Sequence, residues 1–255
     1  LVPPFLQADL VDPMVLPTFG PEILDATEIG IKTDFLDGRA RANIAIFDYS
    51  YEDLQIQATD PDVYRGGVVN LPESEVQGLE IEFTASLSDS LILDANLAFL
   101  DTEITKSYMY LDNVLAQQYS FTNESDREAL ARDIIGKELP KSPKFTADVS
   151  LIYTADLSSG DVFNSAIQFI KRGKFFQRVA NNVDHGANDV VDGYDIFNIM
   201  AGIDYASGWG FDIMVTNVGD EDGMNSAMTD VFGVGATGIE YIPPRQVMTR
   251  ISYDF

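Results

Sequence analysis

The segment Gln246-Val-Met-Thr-Arg-Ile-Ser-Tyr-Asp-Phe255 alternates without a slip. Val247, Thr249, Ile251, Tyr253 and Phe255 fall on one face of an extended strand, and Gln246, Met248, Arg250, Ser252 and Asp254 on the other, because strand side chains alternate with a period of two. One face is apolar and the other polar. The segment ends on an aromatic residue with no polar tail behind it, which marks it as the closing stave of a wall of similar strands.

The rest of the chain repeats the pattern. The first 25 residues are Pro-rich, acidic and aperiodic, and read as a loop. Glu28–Phe35 alternates, Asp37-Gly38 makes a tight turn, and a return strand is expected from Arg41 to Gln57. Its phase slips: Ile44 and Ile46 share one face, while Phe47, Tyr49 and Tyr51 share the other. A bulge near Phe47 reconciles the two halves and places the three rings in an aromatic girdle. Ala58 to Asn70, with Pro61 and Gly66-Gly67, reads as a loop.

Leu79–Leu87 and Leu91–Phe99 form a hairpin around Ser88-Asp-Ser90. The longest break runs from Lys106 to Lys141. Within it, Ser125-Asp-Arg-Glu128 has capping-box spacing, so Ala129 to Gly136 is expected as a short helix ended by the glycine. Further strands are expected at Phe145–Tyr153, from about Phe163 to Arg178, at Phe197–Tyr205 and at Trp209–Val215. A Gly-rich loop then spans Asp220 to Gly238. This makes about nine strands with short and long connections alternating, the asymmetry of bacterial outer-membrane barrels.

Composition bounds the alternatives. Formal net charge is -25, so a polyanion such as nucleic acid is repelled. There is no cysteine and a single histidine, His185, which removes disulfides, thiolate sites and most zinc or triad constellations. No apolar run approaches the roughly 18 residues of a transmembrane helix. Barrel strands escape that test, since alternation leaves a mean hydropathy near zero, here -0.02. A soluble antiparallel sandwich, acting as a secreted or surface binding or adhesion module, shares the alternation. The side-dependent turns and strands of about 9–11 residues favour the membrane wall.

Several short motifs, in order, resemble the β-barrel domain of TonB-dependent outer-membrane receptors. They are Pro21-Glu22 with Ala26–Thr33, Phe35–Arg39 and Ala45–Tyr49; Gln77-Gly-Leu-Glu-Ile-Glu82; Leu139-Pro-Lys-Ser-Pro-Lys144; Asn217-Val-Gly-Asp220; and Pro244-Arg245 before the last strand. The resemblance implies an all-β fold: an antiparallel up-and-down transmembrane barrel of about 22 strands, of which residues 1–255 supply about the nine C-terminal ones. The plug domain and its coupling box are not in this sequence, which therefore reads as a partial chain.

The implied activity is energy-dependent import across the outer membrane of a scarce nutrient: a ferric siderophore or similar iron chelate, cobalamin or a saccharide. Implied partners are outer-membrane lipid and lipopolysaccharide, that small-molecule ligand, and the TonB complex reached through the N-terminal region. No cofactor and no enzymatic activity are implied.

Candidate binding residues are few. Tyr108, Tyr110 and Tyr119 lie in the longest loop and offer ring area with a hydrogen-bonding tip; the bland reading is girdle or loop packing. Lys171, Arg172, Lys174 and Arg178 form the one basic cluster, with Arg172 a contact for an anionic chelate or lipopolysaccharide phosphate; alternatively they balance acidic strand faces. Glu80 and Glu82 invite a paired-carboxylate reading but fit polar lumen lining better. The aspartates of Asp184 to Asp195 and of Asp220–Gly223 lack EF-hand spacing, so no metal site is assigned. On the closing strand, Val247, Ile251, Tyr253 and Phe255 are the barrel-closing residues, with a free edge awaiting the barrel's first strand.

Overall fold

The computed structural model describes residues 19–60, 65–112, 131–183, 189–229 and 237–255. Nine strands form one antiparallel sheet: β1 (Ile23–Phe35), β2 (Ala40–Asp60), β3 (Arg65–Ser88), β4 (Leu91–Ile104), β7 (Phe145–Asp156), β8 (Val162–Arg172), β11 (Tyr194–Asp204), β12 (Trp209–Thr216) and β15 (Gln246–Tyr253). They pair in chain order, each with its predecessor, so the topology is up-and-down. The remaining strands make three ribbons at the end of the long connections: β5 (Met109–Leu111) with β6 (Ala131–Asp133), β9 (Phe175–Phe176) with β10 (Val190–Val191), and β13 (Met224–Thr229) with β14 (Thr237–Tyr241). Among the described residues only two-stranded ribbons accompany this sheet, so the two facing sheets of a sandwich are not what forms.

Cross-strand register turns the alternation into two continuous faces. Ile31, Ile44, Ile81, Leu97 and Ala147 form one row across five strands, and Ile167, Ile199, Val215 and Val247 another across four. The large side chains of this outer face are exposed, with Ile29, Ile31, Ile46, Ile167 and Ile251 each at least half open, while the small Ala147 is covered by its neighbours. A row of aliphatic side chains open to the surroundings is stable when those surroundings are lipid.

Aromatic pairs border the apolar rows at both ends. Toward the short turns lie Phe35–Phe83, Tyr153–Phe163 and Trp209–Tyr253, with centroids 6.2, 6.3 and 4.9 Å apart. Toward the long connections lie Phe99–Phe145 and Phe169–Phe197 at 4.8 and 4.9 Å. Phe145 and Tyr153 are about 26 Å apart along β7 at ~3.3 Å per residue, close to the ~25 Å apolar band of such barrels. Phe255 is fully open and meets Tyr253 edge-on at 5.3 Å.

Above the upper belt the two faces exchange character. Row Ile29–Ile46–Leu79–Phe99–Phe145 is apolar outside; the next outer row is Thr27–Asp48–Gln77–Asp101. From there upward the outer face carries Asp25, Glu52, Glu73, Glu75 and Glu103, while the inner face becomes Leu24, Ala26, Phe47, Tyr49, Tyr51, Val76 and Leu100. The strand leaves lipid for water on its outside and gains a protein core on its inside.

That inversion corrects the reading of Phe47. Pairing of β1 with β2 is unbroken from Ile23↔Glu52 to Phe35↔Ala40, so there is no bulge there. The slip in the hydrophobic pattern is the membrane boundary, and Phe47, Tyr49 and Tyr51 face inward rather than into a lipid girdle.

Other boundaries also move. The expected loop from Ala58 to Asn70 is mostly strand, since β2 runs to Asp60 and β3 starts at Arg65. Pro72 is tolerated because Asp53 opposite it drops out of the ladder with φ 57°, and the Asn70 amide donates to the Asp53 carbonyl at 2.7 Å. The expected helix over Ala129 to Gly136 is instead β6 and a turn within residues 131–136; pairing with β5 and burial of Ala131 and Ile134 override the local preference. Gly136, φ 75°, does end the segment. The expected strand through Arg178 stops at Arg172. Gly173 lies against the Phe145 backbone and Gly193 against the Arg172 carbonyl, and the chain leaves the wall between them. Part of the expected Gly-rich loop is the β13–β14 hairpin.

Candidate functional site

The inner face of the wall is a polar surface held by side-chain bonds between adjacent strands. Asn43 donates to Glu82 at 2.9 Å, Thr84 to Asp94 at 2.7 Å, and Gln168 to both Asp148 oxygens at 3.0 and 2.9 Å. Glu80 and Glu82 stand exposed on this face, as lumen lining requires. Asn198 donates to Gln168 at 2.9 Å and accepts from the Asn217 backbone N–H at 2.9 Å. A polar relay therefore runs from β7 across β8 and β11 to the end of β12. Ion pairs Arg41–Asp34 and Arg250–Asp212, both 2.7 Å, sit on the same face.

Over the upper end of this face lies a cap built by the long connections. Leu71, Ile104, Tyr110, Ile134, Leu139, Val179 and Ala180 are buried together, with Leu54, Ile56, Val69, Val76 and Tyr108 packed on them. The Leu139-Pro140 motif supplies a core residue, and the Leu139 N–H donates to Thr102 Oγ1 at 3.0 Å.

One buried ion cluster clasps the cap. Arg178 donates to Asp112 at 2.7 Å and to Asp189 at 2.6 Å; both carboxylates are almost fully buried. Asn182 donates its side-chain amide to Asp112 and its backbone N–H to Asp189 at 2.8 Å. Burial works against the Arg178 charge, but the two carboxylates outweigh it and hold its pKa above the ordinary arginine value. Burial raises the Asp189 pKa, with its hydrogen bonds pulling the other way. Next to them burial, then the Asp112 charge, pushes the Tyr110 phenol up to about 12. The clasp joins the 105–144 connection to the 173–193 connection.

Of the candidate contacts, Tyr110 is 8% exposed inside the cap and Tyr108 packs on its flank. Tyr119 lies outside the described residues, as does His185. Arg172 lies between the Phe175 and Tyr194 rings, 4.8 and 4.5 Å from their centroids. It donates to the carbonyls of Met224 and of Asn225, the latter at 2.7 Å. The basic cluster is dispersed rather than gathered: Lys171 pairs outward with Asp195 at 2.7 Å, Arg178 is in the clasp, and Lys174 is exposed.

A second knot sets the last strand. Asn217, 3% exposed and at φ 48°, donates to the carbonyls of Glu221 at 2.9 Å and Pro243 at 3.2 Å, and accepts from the Glu221 N–H at 2.9 Å. Sequence reading noticed Asn217 and Asp220 only as parts of a motif. Their mechanical role needs the fold, because Pro243 and Arg245, which they hold, lie on the far side of the β13–β14 hairpin. Phe47, Tyr49 and Tyr51 were likewise visible, but on the wrong face.

The family described as "TonB dependent receptor-like, beta-barrel" matches residues 9–218. A curated relative, the "Probable TonB-dependent siderophore receptor PiuA" of Acinetobacter baumannii, is 34% identical over 87 residues, 34% of this chain and 11% of that protein. The crystal structure of PiuA superposes with a TM-score of 0.66 at 19% identity, covering 90% of this chain and 28% of PiuA. The ferric yersiniabactin uptake receptor FyuA of Yersinia pestis gives 0.67 at 16% identity, covering 94% and 32%. The copper transporter OprC gives 0.61 at 17% identity, covering 93% and 32%. The chain thus spans about a third or less of the length of the proteins it matches. Its apolar outer band, aromatic belts and up-and-down register are the wall of an outer-membrane barrel, and the chain belongs to the TonB-dependent receptor-like β-barrel family.

Proposed function

We propose that this chain is wall and outer vestibule of an outer-membrane receptor that imports a scarce nutrient, foremost a ferric siderophore or similar iron chelate. The observation that carries this reading is the exchange of faces at the row Thr27–Asp48–Gln77–Asp101. Below it the strands are a lipid-facing wall; above it their inner face turns apolar and carries the cap, beside which a ligand is held. The likeness to PiuA, a probable siderophore receptor, and to FyuA, a ferric yersiniabactin uptake receptor, supports an iron chelate as the cargo.

In this proposal residues 1–255 supply the C-terminal part of the barrel. Val247, Ile251, Tyr253 and Phe255 lie on the sheet-edge strand that pairs with the barrel's first strand. The outer surface meets lipid and lipopolysaccharide, and the N-terminal region engages the TonB complex. Tyr108 and Arg172 contact ligand beside the cap, with Tyr110 in the cap core behind Tyr108, and Tyr119 of the same long connection is a further contact. The role is transport and not catalysis.

The test is uptake of radiolabelled iron, cobalamin and saccharides by an iron-limited strain with and without the full-length receptor. Loss of one iron chelate's uptake on deletion is the expected result. Unchanged uptake of every iron chelate would sink the reading.

A further inference from the structure

Deepening that reading, we infer that Phe47, Tyr49 and Tyr51 form a ligand-receiving aromatic platform on the inner wall of the vestibule, and that it takes a flat aromatic ring bearing no negative charge. The inference rests on the vestibule assignment but not on iron being the cargo.

The three rings share the inner face of β2 directly above the face exchange. They are half-buried, unlike Tyr110 in the cap core. Their cross-strand neighbours are mostly smaller: Phe47 lies between Glu28 and Gly78, Tyr49 between Ala26 and Val76, Tyr51 between Leu24 and Ser74. Gly78 is what allows Phe47 to lie down on the sheet. A Cβ there would come within 2.3 Å of the Phe47 ring and 2.8 Å of the Phe99 carbonyl. Tyr49 then stacks on Phe47, centroids 4.8 Å apart and planes 23° apart, and its hydroxyl reaches Glu28 at 3.4 Å. The Phe47–Tyr49 stack forms without a ligand, so little ordering entropy of these two rings is lost on contact.

Charge sets the ligand class. Glu28 and Glu80 flank the rings on the same face, and neither carboxylate has an ion-pair partner among the described residues. The faces of aromatic rings are themselves electronegative, so they attract cations and repel anions lying over them. Rings and carboxylates therefore act in the same sense. A neutral or cationic ring is favoured, and an anionic one of the same shape is disfavoured.

The experiment uses the purified full-length receptor in nanodiscs of zwitterionic lipid, titrated with two probes of like shape, N-methylquinolinium and naphthalene-2-sulfonate, by saturation-transfer NMR. We expect the cation to bind about tenfold more tightly than the anion, the scale of one desolvated cation–π contact. Tyr49→Leu with Tyr51→Leu removes that advantage. Glu28→Gln, which leaves the stack in place, reduces it. Retention of heat-modifiable gel mobility shows that each variant is folded. Equal or tighter binding of the anion, or cation binding indifferent to the tyrosine changes, overturns the platform. So does an absence of saturable binding by either probe, the result if a protein segment inside the barrel covers the rings. Uptake that does not depend on the receptor, with the probe results intact, removes the import reading and leaves the platform standing.

Discussion

Arg245 is held by Asp220 in two ways: its backbone N–H donates to one carboxylate oxygen at 2.9 Å and its guanidinium to the other at 3.3 Å. This joins the end of β12 to the start of β15 across the intervening hairpin, and Asn217 doubles the joint through Pro243. The sheet-edge strand is therefore positioned before it has a second partner.

Asn217 should matter more than the ion pair. Arg245 and Asp220 are about half exposed, so Arg245→Ala costs at most ~1 kcal/mol. Asn217→Ala strands the Glu221 N–H and two carbonyls, about 1–3 kcal/mol, and also puts alanine in a left-handed backbone. Asn217→Gly relieves only the backbone part. The order Arg245→Ala, Asn217→Gly, Asn217→Ala in falling urea midpoint is the expected result, read by loss of heat-modifiable mobility.

Arg178→Ala leaves the Asp112 and Asp189 carboxylates buried without their counter-charge. Breaking a buried pair from one side costs on the order of 3–5 kcal/mol. The cost is local to the cap, so hydrogen exchange should rise over 131–139 and 175–182 and stay unchanged in β7 and β8. Arg178→Lys should not restore protection, because one ammonium does not reproduce a forked contact to two carboxylates.

Adjacent residues on β8 should respond unequally to the same substitution. Ile167→Lys places a charge in the middle of the outer band, which costs ~2–4 kcal/mol. Gln168→Lys points inward to Asp148 but gives up the bond it accepts from Asn198, and should cost about 1 kcal/mol. Folding yield into lipid bilayers checks both. A larger loss at Gln168 than at Ile167 would reverse the assignment of the faces.

Alkaline pH should loosen the cap through Tyr110. Its phenol ionises at about 12 in the folded chain, against ~10 when unfolded. The burial of the neutral phenol stabilises fully below pH ~10 and is lost as pH rises through the folded value. A late phase in phenolate absorbance, centred near the folded pKa and absent in Tyr110→Phe, is the expected signature.

Much of the wall was legible in the linear chain because its physics is local. Alternation with a period of two is visible in Leu79–Leu87 without any partner strand, and turn residues such as Asp37-Gly38 announce themselves. The failures share a cause. Phe47 looked like a register slip because a one-dimensional pattern has no knowledge of where lipid ends. Ala131–Asp133 looked helical because its partner, Met109–Leu111, is distant in sequence. The loop-side residues were seen as types, such as tyrosines and a basic run, without their partners. Arg178 and Arg172 sit six positions apart, yet one is clasped by carboxylates and the other by carbonyls.

For Gln246–Phe255 the division is clear. Its own residues dictate a strand with an apolar and a polar face, since alternation follows from backbone geometry alone. That the apolar face looks outward to lipid follows from pairing with Trp209–Thr216 and the belts that register aligns. Where the strand begins is set by Asn217 and Asp220, through bonds that exist only once the intervening residues have folded back.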